Sequence, residues 1–88
     1  MFAVYVLMSK TVKKSYVGVT NDIKRRLQEH NSGKHFYTKR YTPWEVVHTE
    51  AFDSMKTAHA REKFLKSTGG RRVLKKIFES LQSNDISS

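Results

Sequence analysis

Few side chains in this sequence could carry a reaction. There is no cysteine, which removes thiolate nucleophiles, zinc thiolate sites and disulfides at once. There is also no Gly-rich phosphate loop, no nucleophile elbow and no pair of zinc-spaced histidines. Carboxylates number only eight. The informative pattern is an ordered set of aromatic and basic residues: the triplets Ala3-Val4-Tyr5 and Tyr16-Val17-Gly18, then Thr20-Asn21-Asp22, then Arg26 and His30 four residues apart. Side chains four apart on a helix share a face. A phenol has a pKa near 10 and is ionised about once in a thousand at neutral pH. A tyrosine therefore needs cationic neighbours or metal-bound water to take a proton usefully. Arginine offers a planar fork that matches phosphate oxygens.

The elements that would hold these residues can be read from residue type and period. Residues 2–9 (FAVYVLMS) and 15–20 (SYVGVT) are rich in β-branched and aromatic types and are separated by a short polar stretch, which predicts an antiparallel hairpin. In the first strand Phe2, Val4, Val6 and Met8 share one face and Ala3, Tyr5, Leu7 and Ser9 the other. Both faces carry apolar groups, so this strand is read as central. Asn21 or Asp22 can cap a helix whose Ile23 and Leu27 are four apart and which Ser32-Gly33 stops. Residues 33–43 (GKHFYTKRYTP) lack a period and read as an exposed loop. Residues 44–52 read as a third strand. Asp53-Ser54 offers a cap for a helix over residues 55–67, which Thr68-Gly69-Gly70 should end. Val73, Leu74, Ile77, Phe78 and Leu81 make one apolar stripe on a last helix. The expected order is β-β-α-β-α-α in one domain over residues 1–82, with residues 83–88 as a frayed tail.

Charge narrows the partner. Seventeen Lys and Arg oppose eight Asp and Glu, for a formal net charge of +9, on a chain that is 38% hydrophobic and 11% aromatic. That is too apolar for a disordered basic tail and points to a folded binder of polyanions. Residues 1–43 hold nine basic and two acidic side chains, so the excess sits in the first hairpin, first helix and loop. Lys24, Arg25, Lys34, Lys39 and Arg40 are the candidates for nucleic-acid contact. The apolar run at residues 2–8 is too short to span a bilayer and lacks the basic lead of a signal peptide, so no membrane partner and a cytoplasmic location are expected.

Taken in order, these motifs resemble the GIY-YIG nuclease family, whose first two motifs are a Gly-Ile-Tyr-like and a Tyr-Ile-Gly-like triplet about ten residues apart. AVY and YVG look like those triplets. Arg26, ten residues after Tyr16, His30 four further on and Glu62 in Ala-Arg-Glu-Lys continue the likeness. Tyr37-Thr38-Lys39-Arg40, Thr42-Pro43-Trp44-Glu45-Val46-Val47 and Gly70-Arg71-Arg72 look like the small single-domain bacterial branch, which resembles the GIY-YIG nuclease domain of the bacterial repair excinuclease. The resemblance covers nearly the whole chain. It implies an α+β domain with a three-stranded antiparallel sheet flanked by three helices, and a divalent-metal-dependent endonuclease of the kind used in DNA repair, with DNA rather than RNA as its partner.

On that resemblance Tyr16, backed by Tyr5, would be the general base. Arg26 would hold the scissile phosphate, His30 would relay or tune the tyrosine proton, and Glu62 would bind Mg²⁺ or Mn²⁺ with waters and phosphate oxygens. The chain departs from the pattern at Ala3, where the family name has Gly. It departs again at Leu74 to Ile77, where many family nucleases carry an Asn beyond the metal Glu. Two other readings stay open: a catalytically weak nucleic-acid binding module of the same fold, and a protein-interaction domain whose charge is incidental. His59 and Glu62, three apart on a helix, form an incomplete pair for a transition metal.

Overall fold

The computed structural model describes residues 1–87, with side chains through Leu81. Strands β1 (Phe2–Ser9) and β2 (Ser15–Thr20) form the expected hairpin, and β3 (Trp44–Phe52) pairs with the other side of β1. The sheet is antiparallel throughout, in the order β2-β1-β3, which puts β1 at the centre. Both faces of β1 are consequently covered. Val4 and Val6 join Val17, Ala58, Leu65 and Leu74 in one core, and Tyr5 and Leu7 join Trp44 in a second core on the opposite face. The β1–β3 pairing shifts register between Val6 and Leu7, where β3 carries one extra residue, as at a β-bulge.

Helix α1 (Ile23–Asn31) starts two residues after β2. Asp22 accepts a hydrogen bond from the Arg25 amide at 3.1 Å, and the Thr20 hydroxyl accepts one from the Asp22 amide at 3.0 Å. Ile23 and Leu27 place the helix on the Tyr5 face. The chain leaves α1 through Gly33, whose φ of 85° suits a residue without Cβ. The segment read as a loop contains a single 3-10 turn, Thr38–Tyr41, set by the full burial of Thr38.

Helices α2 (Met55–Leu65) and α3 (Thr68–Ser87) cover the Val4 face. Ser54 caps α2 by accepting from the Thr57 amide at 3.2 Å, as its sequence predicts. Helix α2 ends before Thr68-Gly69-Gly70, as expected, but the two glycines are themselves helical and lie in the first turn of α3. The reason is steric. A Cβ on Gly70 would overlap the Phe64 carbonyl oxygen and the Leu65 Cα, so glycine here is what lets α3 begin against the end of α2. The frayed tail expected over residues 83–88 falls on the end of α3 and on Ser88, where the side chains lie outside the described residues.

The two glycines should therefore respond oppositely to alanine. Gly69 has only the Phe64 ring near it, at 3.7 Å, so Gly69→Ala is expected to be neutral or to stabilise by up to about 1 kcal/mol through helix propensity. Gly70→Ala is expected to destabilise by about 2 kcal/mol or more through overpacking, against its propensity gain. Urea unfolding of both variants checks this, and equal effects would refute the close approach.

Candidate active site

Tyr5 lies opposite Gly18 in the β1–β2 register, and Leu7 lies opposite Tyr16, so the two tyrosines are diagonal neighbours on one face of the sheet. A Cβ on Gly18 would overlap the Tyr5 phenol, which shows that the ring lies across the β2 backbone. Laid this way, the Tyr5 hydroxyl meets α1. It accepts from Arg26 Nε at 3.3 Å and pairs with His30 Nε2 at 2.9 Å. His30 Nδ1 pairs with the Thr38 hydroxyl at 2.8 Å, and Trp44 Nε1 donates to the Thr38 carbonyl at 2.7 Å. Asn31 locks the neighbouring turn by accepting from the Trp44 amide and donating to the Trp44 carbonyl.

Burial decides the protonation of this network. Tyr5 is 1% exposed, and its phenol is pushed up to about 12 chiefly by loss of water, against the pull of the Arg26 hydrogen bond. The fully buried His30 is pushed down to about 4, first by burial and then by the charges of His35 and Arg26. Both groups are neutral at pH 7. The Arg26 bond into the phenol oxygen makes that proton the more acidic one. This assigns Tyr5 as donor to His30 Nε2, and His30 Nδ1–H as donor to Thr38.

Arg26 keeps its charge. Its guanidinium is raised by the bond to Tyr5 and by Glu29, which accepts from Nη1 at 3.0 Å. With 30% of its side chain exposed, the remaining N–H groups can reach an anion. Glu29 is in turn held below the ordinary carboxylate value by the Arg26 hydrogen bond.

Tyr16 stands differently. It is half-buried, 6.2 Å from the Tyr5 ring and 4.9 Å from the His30 ring between centroids, and it lines an open groove of about 370 Å³ with Tyr37, Lys66 and Arg71. Lys66 Nζ lies 5.6 Å from the Tyr16 ring centroid and donates to Glu62 Oε2 at 3.0 Å. Glu62 comes from α2, on the other side of the sheet, and is joined to this groove by Lys66, which lines it. The next-door Arg61 fixes α2 to β3 through two bonds to Glu50, at 2.7 and 3.1 Å. Glu62 Oε1 also pairs with His59 at 3.0 Å. Burial pushes the Glu62 carboxyl up, but the bonds from Lys66 and His59 outweigh this and hold it below the usual range. It is an ionised carboxylate, 18% exposed.

The structure thus brings Tyr5, Arg26 and His30 into direct contact. It sets Tyr16 beside them and links Glu62 to Tyr16 through Lys66. His30 meets the buried tyrosine, Tyr5, by hydrogen bond and Tyr16 only by ring packing. Lys24, Arg25, Lys34, Lys39 and Arg40 are all at least partly exposed and belong to α1 and the segment after it, on the Arg26 side of the sheet. Sequence reasoning missed Lys66, and it gave no site role to Thr38 or Arg71, which entered only within Tyr37-Thr38-Lys39-Arg40 and Gly70-Arg71-Arg72. Lys66 had a signal in its four-residue spacing from Glu62. Thr38 stood inside a motif of the resemblance, but nothing in that polar segment marks its hydroxyl as the one that will be buried.

Comparison with known proteins adds a second line. The family model for the GIY-YIG catalytic domain matches residues 1–76. A UPF0213 protein of Natronomonas pharaonis is 46% identical over 65 residues, which is 73% of this chain and 75% of that protein. A UPF0213 protein of Syntrophus aciditrophicus is 41% identical over 76 residues, covering 84% of this chain and 86% of that one. The solution structure of a UPF0213 protein from Bacillus halodurans superposes with a TM-score of 0.51 at 34% identity, over 88% of this chain and 85% of the other.

A buried neutral histidine makes stability depend on pH in a set direction. The unfolded chain protonates His30 below about pH 6.5 and the folded chain only near 4, so this contribution is complete above 6.5 and is lost as pH falls. Unfolding free energy should drop by about 2 kcal/mol between pH 7.5 and 5. Carboxylates held low, such as Glu29 and Glu62, lose their contribution only below about 4.5, outside this window. In His30→Gln, which is less stable at pH 7.5, the drop should largely vanish. Urea titrations at both pH values check this, and parallel losses in the two proteins would contradict it.

Proposed function

This chain belongs to the GIY-YIG family, and on that footing we propose that it is a divalent-metal-dependent endonuclease that hydrolyses DNA phosphodiester bonds. The observation that carries the proposal is the unequal pair of tyrosines. Tyr5 is enclosed and keeps its proton, whereas Tyr16, one diagonal step away, faces an open basic groove. Tyr16 is accordingly the candidate general base, and Tyr5 the residue that positions Arg26 and His30. A phenol takes a proton effectively when cations stabilise its charged form, and Lys66 stands over the Tyr16 ring. Arg26, oriented by Tyr5 and Glu29, would hold the scissile phosphate and the charge that builds on its oxygens. His30, buried and neutral, fixes the Tyr5 proton and through Thr38 ties α1 to the turn.

The residues present fit Mg²⁺ or Mn²⁺ at Glu62. Its oxygens are ionised and hard, and among the described residues no three His, Cys, Asp or Glu side chains cluster into an all-protein cage. One carboxylate completed by waters and substrate oxygens is the usual manner of holding Mg²⁺. Bound there, the cation would offset charge on a phosphate oxygen. Lys24, Arg25, Lys34, Lys39 and Arg40 would grip the flanking backbone with little sequence preference.

Glu62→Gln keeps side-chain size and removes the charge. Plasmid nicking in Mg²⁺ or Mn²⁺ should fall about a hundredfold or more, and Tyr16→Phe should lose a similar factor. DNA affinity without metal should hold or rise slightly for Glu62→Gln, since one negative charge leaves a basic surface. Melting temperature should change little. Unchanged nicking in Glu62→Gln would remove that residue from the mechanism. A wild-type protein that binds DNA yet nicks nothing would replace the nuclease reading with that of a binding module.

A further inference from the structure

Phe36 is 72% exposed and belongs to neither core. Its position is nevertheless set: two residues on, Thr38 is fully buried and bonded to His30 and Trp44, and the Lys39 amide donates to the His35 carbonyl at 3.0 Å. The turn is held from beneath and displays the ring above it. Two cations attend that ring, Lys39 Nζ at 5.3 Å and Arg40 Cζ at 5.1 Å from its centroid. The neighbouring Tyr37 is also exposed, and its ring lies 6.2 Å from that of Tyr16 and 5.5 Å from that of Tyr41. Tyr37 thus extends the aromatic surface of the Tyr16 groove, and the adjoining residue, Phe36, presents an exposed ring with two cations beside it.

We propose that Phe36 is a stacking platform for an unpaired base of a DNA strand whose flanking phosphates are held by Lys39 and Arg40. The inference rests on the nuclease reading above and names the substrate class it leaves open: DNA with a single-stranded segment beside the cleaved bond. The chemistry is selective for a simple reason. Lysines and arginines alone bind any phosphate backbone, paired or not. An exposed aromatic face gains contact only from a base whose own face is free, and in a blunt duplex the base faces are already stacked on one another. Phe36 thus contributes to single strands, overhangs and flaps and adds nothing for blunt duplex.

The test measures binding without divalent metal, so that cleavage does not enter, using a labelled short oligothymidylate and a blunt duplex at one salt concentration. Phe36→Ala should weaken oligothymidylate binding about tenfold, the scale of one lost base–aromatic stack, and leave duplex affinity within about twofold. Phe36→Trp should retain affinity for the oligonucleotide, and its fluorescence should be quenched on binding, because the native Trp44 is buried and shielded from such contact. Charge reversal at Lys39 and Arg40 should weaken both probes and flatten the salt dependence. Melting temperatures confirm that the exposed substitutions leave the fold intact. If both probes bind and Phe36→Ala is silent, or weakens them equally, the platform is refuted while the nuclease reading stands. If the wild-type protein binds neither probe, both fall.

Discussion

The phenol of Tyr5 can lie where it does only because residue 18 has no side chain. In an antiparallel pair, residues directly opposite compete for the same space above the sheet, and Tyr5 is opposite Gly18. With that space empty the ring crosses β2 instead of standing away from it, and its hydroxyl arrives at Arg26 and His30 together. Helix α1 has little freedom to meet it anywhere else, since Asp22 caps the helix two residues after β2 ends. A side chain at position 18 would displace the ring and break both hydrogen bonds in one step. The groups left behind would be buried and unpartnered, which costs more than the bonds themselves contribute.

Given that crossing, the rest of the centre follows from burial. His30 sits beneath the sheet face with a partner on each nitrogen, and Thr38 carries the chain of bonds to Trp44. Among the described residues no buried side-chain polar atom lacks a partner, which is the condition under which a polar network stiffens a core instead of weakening it. The same burial separates two residues of one chemical type. Enclosed Tyr5 is held in its neutral form, and Tyr16 at the rim keeps access to solvent and to Lys66.

How much of this the chain discloses before folding varies with the kind of information. The strands, their order and the central place of β1 were legible because apolar residues on both faces of residues 2–9 need cover on both sides. The caps at Asp22 and Ser54 were legible because capping is local. Gly69-Gly70 marked the break between α2 and α3, but their place inside α3 was not legible, because Gly70 answers to the carbonyl of Phe64 in another helix. The tyrosines, Arg26 and Glu62 could be picked out by order and spacing. That His30 would serve Tyr5, or that Lys66 would bridge Glu62 and Tyr16, depends on how the side chains of separate elements come to rest, which no periodicity records.

Placing Glu62 on the layer opposite Arg26 has an electrostatic consequence. The surface around Arg26 is strongly basic and attracts phosphate, while the Glu62 carboxylate beside the Tyr16 groove repels it. Lys66 removes most of that conflict now by pairing with Glu62 at 3.0 Å. In the proposed nuclease a divalent cation would replace a single positive charge with a double one, so the carboxylate that opposes DNA without metal would favour it with metal. The anchoring of α2 makes this feasible: Arg61 and Glu50 hold the helix independently, so Lys66 can release Glu62 without loosening the element that carries it. The tyrosine network on the other face of the sheet shares none of those bonds but still feels their charge: besides burial, the Glu62 carboxylate helps to hold the Tyr5 phenol neutral, and a cation bound there would weaken that push.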